Sequence, residues 1–183
     1  MEIVEGDLLD INNNCDIILQ QLNCLCVRPH GLSNAISKKY PYANVYGYRT
    51  PIGSKNLATE GTRGTPGKIV VSQGRVTVIG LYGQYDFGKA YSRSYRPSLP
   101  SKYGEKETKD LRERWFKKCL RNLRNWLVEN DMNSSDITIG IPYKIGCGLA
   151  GGDWTKYYEM LNSFSNKVNC VVKIYKFKKL KIY

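Results

Sequence analysis

Between Ile137 and Phe164 the chain passes from an apolar segment through a glycine-rich turn into a helical pattern. Few folds accommodate that order. Ile137-Thr138-Ile139-Gly140-Ile141 reads as a buried strand. The turn Ile145-Gly146-Cys147-Gly148-Leu149-Ala150-Gly151-Gly152-Asp153 follows, and a helix is expected from Trp154 to Phe164. Five glycines fall between positions 140 and 152. Strand, glycine turn and helix make the local plan of an anion site. Glycine lets the backbone come close to a phosphate, and a helix start offers unpaired N–H groups. The alternative is a glycine-rich turn that holds no ligand.

Gly146-x-Gly148-x-x-Gly151 matches the dinucleotide fingerprint as a string. The fingerprint belongs in the first strand-helix-strand unit, with an acidic residue ending the next strand. Here the turn lies late in the chain, and the next strand, Cys170 to Phe177, carries no acid. A mononucleotide P-loop fails as well, because no Gly-Lys-Ser/Thr follows the turn.

The rest of the chain supplies strands and helices in alternation. Glu2 to Val4 and Asp16 to Leu22 read as strands, the second of them buried. Leu32 to Lys39 reads as a helix with Ala35 and Ile36 facing inward, stopped by Pro41. Lys68 to Ser72 and Val76 to Tyr82 read as a hairpin about Gln73-Gly74-Arg75. Tyr85 to Tyr103 is loop-like. Thr108 to Glu129 is the strongest helix, N-capped by Thr108, with Leu111, Trp115, Cys119, Leu123 and Leu127 recurring every four residues. The expected fold class is α/β: one layered domain over residues 1–183 with a mixed central sheet.

A chain of 183 residues can bury a substantial core. No apolar stretch is long enough to span a membrane, and the acidic N-terminus does not read as a signal peptide. Six cysteines without CxxC spacing and a single histidine argue against a metal site. They read as reduced thiols of an intracellular protein, cytoplasmic with the nucleus not excluded. The net charge is +12, with seven basic residues between Lys109 and Arg124 and five lysines between Lys173 and Lys181. Such a surface attracts nucleic acid. It also suits a solvated face balanced by cellular anions.

Three segments together resemble a macrodomain: Glu5-Gly6-Asp7-Leu8-Leu9; Ile17-Ile18-Leu19-Gln20-Gln21-Leu22-Asn23-Cys24 with its following loop and helix; and Ile141 through Trp154. The third is similar to the phosphate loop of the branch that includes ADP-ribose-1″-phosphate phosphatases and terminal-ADP-ribose protein glycohydrolases. Residues 42–66 and 85–103 lie outside the match. The resemblance implies a three-layer α/β/α fold with ADP-ribose, or a derivative, bound at the carboxyl edge of the sheet and no cofactor or metal. It implies that Asp7 accepts from the adenine amine, that the Leu8 N–H supports the ring, and that Asn23 meets the distal ribose. Gly146, Cys147, Gly148, Leu149, Ala150 and Gly151 would wrap the diphosphate. The chemistry suits those roles, since a carboxylate accepts from an amine and an amide both donates and accepts. Asp7 capping a turn and Asn23 satisfying loop backbone are the plain alternatives.

Several departures bear on chemistry. The loop after Asn23 is glycine-rich in the family; here only Gly31 remains, and Arg28, Pro29 and His30 precede it. Arg28 adds positive charge near the expected diphosphate. His30 is the first catalytic candidate, because the phosphatase branch can present a histidine in this loop and imidazole exchanges protons near neutral pH. A surface histidine before a helix is the alternative. The glycohydrolase branch uses a lysine after a middle strand and an aspartate directly after Gly-Cys-Gly-Leu. This chain has Gln84 or Tyr85 and Ala150 there, with Lys89 nearby. Asp153 is the second catalytic candidate, or else an N-cap. Phe87 or Tyr85 is placed to stack on a base or ribose. The expected activity is hydrolysis of ADP-ribose-1″-phosphate. A non-catalytic ADP-ribose module and a glycohydrolase acting on protein or nucleic acid are the other readings.

Overall fold

The computed structural model describes residues 1–90 and 107–177. The expectations for the aromatic loop beyond Ala90 and for the lysines beyond Phe177 lie outside these residues. The described residues build a sheet of β1 (Glu2–Glu5), β2 (Ile17–Asn23), β3 (Ile69–Ser72), β4 (Thr77–Gln84), β5 (Thr138–Pro142) and β6 (Val171–Lys176). Their order is β1-β6-β5-β2-β4-β3. Neighbours pair in parallel except β3, which joins β4 antiparallel through the expected hairpin. β2 occupies the interior because its residues are apolar on both faces: Ile17, Ile18, Leu19 and Leu22 are all buried.

The helices are α1 (Leu32–Lys39), α2 (Lys109–Glu129) and α3 (Trp154–Ser165). Phe116 and Leu123 of α2 and Tyr157 and Leu161 of α3 pack with Ile17, Leu19, Ile79 and Ile139 on one sheet face. Ile36 of α1 packs with Leu8, Ile18, Val78 and Tyr175 on the other. The result is a three-layer α/β/α arrangement around a mixed sheet, as expected. Thr108 caps α2, its hydroxyl oxygen accepting from the Leu111 N–H at 3.1 Å.

Two details of the helices depart from the sequence reading. In α1 only Ile36 is buried and Ala35 is exposed. An eight-residue helix with a single inward turn needs no wider stripe. In α2, Arg112 is 2% exposed, so one of the basic residues counted toward the charged surface is internal. Its partners belong to the site described below. Among the described residues no helix is long and apolar enough to cross a membrane.

Candidate functional site

The carboxyl ends of the parallel strands open into a cleft of about 1100 Å³. Ligands of open α/β sheets bind at this edge. Of the residues expected to serve a ligand, Asp7, Leu8, Asn23, Arg28, His30, Gly31, Phe87, Gly146, Gly148, Leu149 and Ala150 line it. Cys147, Gly151 and Asp153 do not.

The glycine turn forms one wall. Gly146 has φ +73°, and a Cβ there would lie 2.5 Å from both Gln21 Oε1 and Tyr157 Cε1. Glycine is required at that position by conformation and by space. Gly148 is the opposite case: a Cβ added there would have nothing within 4 Å, so its bareness leaves room for a ligand. Among the described residues the N–H groups of Gly148, Leu149 and Ala150 have no acceptor, whereas those of Cys147, Gly151 and Gly152 bond within the turn. Successive free backbone N–H groups are an anion-binding arrangement.

A buried arginine holds that turn. Arg112 Nη1 donates to the carbonyls of Ala150 at 3.0 Å and Gly88 at 2.6 Å, and Nη2 donates to the Asp86 carbonyl at 3.3 Å. Its Nε meets Glu107 Oε1 at 2.8 Å, and Glu107 is fully buried. Glu107 also accepts from the Tyr85 and Asp86 N–H groups at 2.7 and 3.1 Å. One ion pair thus ties α2, the segment after β4 and the glycine turn together. The sequence shows no sign of it beyond an arginine at the edge of an apolar stripe.

Asp153 serves α3 and not the cleft. Its Oδ1 accepts from the Thr155 N–H at 2.9 Å as the N-cap. Asp153 thus takes the N-cap role that the sequence left open beside a catalytic one, and it does not line the cleft that holds His30. Cys147 Sγ lies 3.3 Å from the Ile145 carbonyl, and burial pushes its thiol up to about 11. Burial therefore disfavours the thiolate, the nucleophilic form.

At the opposite end, Asp7 Oδ1 accepts from the Leu9 N–H at 2.9 Å, so Asp7 does cap a turn. Its side chain is exposed and its second carboxylate oxygen faces no partner among the described residues. Asn23 also does structural work. Its Oδ1 accepts from the Leu25 and Cys26 N–H groups at 3.1 and 2.7 Å. Its Nδ2 reaches only the Tyr46 hydroxyl, at 3.4 Å, which leaves one amide hydrogen for a ligand. A second buried arginine, Arg49, braces this loop, donating to the carbonyls of Asn23 at 2.9 Å and Cys26 at 2.5 Å. It comes from the 42–66 segment that matched no motif.

The loop between them carries Arg28 and His30, both exposed. Asn56 Oδ1 pins the loop by accepting from the Val27 and Arg28 N–H groups at 3.0 and 2.9 Å. Ser33 ties the backbone of His30 and leaves its imidazole free of hydrogen-bond partners among the described residues. Gly31 adopts φ +56° at the start of α1. Phe87 is 56% exposed and available for stacking, but Tyr85 is 3% exposed and is not. Phe177, 68% exposed on the cleft near Asp7, is an aromatic the sequence reading passed over.

Gln84, one of the two residues at the position where the resemblance to the glycohydrolase branch would call for a lysine, is buried and neutral. Its Nε2 donates to the Asp86 carbonyl at 2.9 Å, so its Oε1 faces Gln21 Nε2 at 2.7 Å. Among the described residues no group of three or more His, Cys, Asp or Glu side chains is arranged to hold a metal ion.

No family model matches the sequence, and no curated protein matches it. Solved structures do. A macrodomain of Thermus aquaticus DarG superposes with a TM-score of 0.64 at 15% identity, over 96% of this chain and 97% of that one. A protein from Bacteroides thetaiotaomicron superposes with a TM-score of 0.61 at 17% identity, over 96% and 98% of the two chains. At such identities the likeness is one of fold, and it runs through nearly the whole of both chains: this chain has the macrodomain fold.

Proposed function

We propose that the cleft binds ADP-ribose or a derivative that keeps its diphosphate. The observation that carries this reading is the run of acceptor-free N–H groups at Gly148, Leu149 and Ala150 on the cleft wall. A diphosphate needs several converging donors, and backbone donors cost no side-chain ordering. Asp7 and the Leu8 N–H sit at the far end, where they suit an adenine amine and ring. Asn23 and Arg28 lie on the wall of the same cleft. Titration with ADP-ribose tests the reading. A ligand at a hundred times its Kd stabilises the fold by about 2.7 kcal/mol. The absence of both heat and a thermal shift at millimolar ADP-ribose refutes it.

Dephosphorylation of ADP-ribose-1″-phosphate is the reaction that His30 favours. Its imidazole lies on the cleft wall without a protein partner among the described residues, free to exchange a proton with a terminal phosphate. Asp153 takes no part in this version of the mechanism. Phosphate release by the wild type, lost in His30→Ala while ADP-ribose still binds, supports it. Full activity in the variant rejects His30 as the catalytic group. Glycohydrolysis has less support, since Gln84 and Ala150 stand where that branch carries its lysine and aspartate. All six cysteines are free thiols, which supports a reducing, intracellular setting.

A further inference from the structure

The outer face of α2 carries Arg114, Lys117, Arg121 and Arg124, all exposed. Spacings of three, four and three residues put them on one stripe of the helix. Like charges at those spacings destabilise a helix, and the macrodipole does not offset them, because the stripe lies in the body of α2 and not in its last turn. Carboxylates that could neutralise them point elsewhere. Asp110 and Glu113 stand four residues before Arg114 and Lys117, the favourable arrangement for an intrahelical pair. In the structure both lean toward Lys156 of α3, at 3.9 and 3.2 Å. Among the described residues neither the four stripe residues nor Lys118 and Lys167 has an ion-pair partner.

These cations surround a groove of about 860 Å³ between α2 and α3, separate from the ligand cleft. Glu159 is the one lining carboxylate outside the Lys156 cluster. The floor is apolar but withdrawn: Leu120 and Phe164 are buried. A concave, cation-walled channel without protruding apolar side chains fits a linear polyanion. A membrane surface fits it less well, because interfacial binding adds inserted apolar groups to the attraction of anionic headgroups. From Arg114 to Arg124 the stripe runs about 15 Å at the α-helical rise. That length spans several phosphates of a nucleic-acid strand, whose charges recur about every 3.4 Å along the axis.

We propose that the α2–α3 groove is a seat for the sugar-phosphate backbone of a nucleic acid, held by charge and not by base reading. It acts independently of the cleft, so it stands or falls apart from the ADP-ribose reading. The test is fluorescence anisotropy of the full chain with labelled mixed-sequence 20-mers of single-stranded RNA and single-stranded DNA, at 50 and 200 mM salt. The wild type is expected to bind, with affinity falling steeply as salt rises. The quadruple variant Arg114→Gln, Lys117→Gln, Arg121→Gln, Arg124→Gln removes the stripe from exposed positions. It is expected to weaken binding at least tenfold and to reduce the salt slope by about 0.7 for each phosphate of a single strand that is no longer neutralised. Its circular dichroism spectrum and thermal unfolding are expected to match the wild type, which shows that the fold survives. RNA and DNA binding equally is a backbone-held seat, and a preference for one identifies the source. No binding at 50 mM salt overturns the proposal. So does a variant that binds as the wild type does, because the affinity then resides elsewhere on the chain.

Discussion

Replacing Arg112 by Met removes the donor that holds the glycine turn in place. Glu107 loses the Arg112 guanidinium, and the carbonyls of Ala150 and Gly88 lose that donor, while the Asp86 carbonyl keeps Gln84 Nε2. Removing one partner of a buried ion pair costs about 3–5 kcal/mol, because the other charge is left uncompensated. Glu107 keeps two backbone donors, from Tyr85 and Asp86, so the lower end of that range applies. The expected loss in urea denaturation is therefore about 3 kcal/mol, within a typical total of about 5–15 kcal/mol, and the variant still folds. The second consequence is local. With the Ala150 carbonyl free to turn, the three N–H donors of the turn are no longer aimed together. ADP-ribose affinity is expected to fall about tenfold to a hundredfold, or about 1.4–2.7 kcal/mol. Adenosine has no phosphate and does not use those donors, so its affinity is expected to be unchanged. Arg112→Lys keeps the charge but not the fork, and is expected to fall between the two. A stability loss under about 0.5 kcal/mol, the ordinary range for a surface change, refutes the assigned role. Equal losses for adenosine and ADP-ribose refute the aiming of the turn.

Gly146→Ala is expected to lower stability by about 1–3 kcal/mol, since it must hold a positive φ and meets Gln21 and Tyr157. Gly148→Ala meets nothing and is expected to stay within about 0.5 kcal/mol while weakening ADP-ribose binding, a contrast that thermal denaturation and titration read directly. Asp153→Ala is expected to lose about 1 kcal/mol with its N-cap and to leave any phosphate release intact; a dead but stable variant returns Asp153 to the chemistry. Burial holds the Cys147 and Cys119 thiols up at about 11 and about 12, above their ordinary value of 9.0. The unfolded chain therefore ionises first, and stability is expected to be level below about pH 9 and to fall from there through the folded values, with a smaller fall in Cys147→Ala.

What could be read early was local or periodic. The α2 stripe repeats every four residues, and its cap lies three residues from its partner, so both are legible in one window. The β3–β4 hairpin announced itself through its turn, and the turn before α3 through its glycines. Ala35 was misread because periodicity alone does not say how wide a buried stripe must be. Asp153 fitted two roles on paper. The choice between them turned on a single hydrogen bond with the Thr155 N–H.

The sequence by itself determined that strands and helices alternate and that a glycine-rich turn stands late in the chain. These follow from composition and spacing along the chain, whereas only the resemblance to a macrodomain joined Asp7 and Asn23 to that turn. Tertiary structure decided which polar groups are used up and which are left over. Asp153 is spent on a helix end, Arg112 and Arg49 on loop carbonyls, and Asp110 and Glu113 on Lys156. Among the described residues, the groups left over include three N–H groups in the cleft, one imidazole on its wall, one carboxylate oxygen of Asp7, and a row of unpaired cations on α2. Hydrogen bonds and ion pairs are settled between segments far apart in sequence, so the surplus that a ligand can use appears only once the chain has folded.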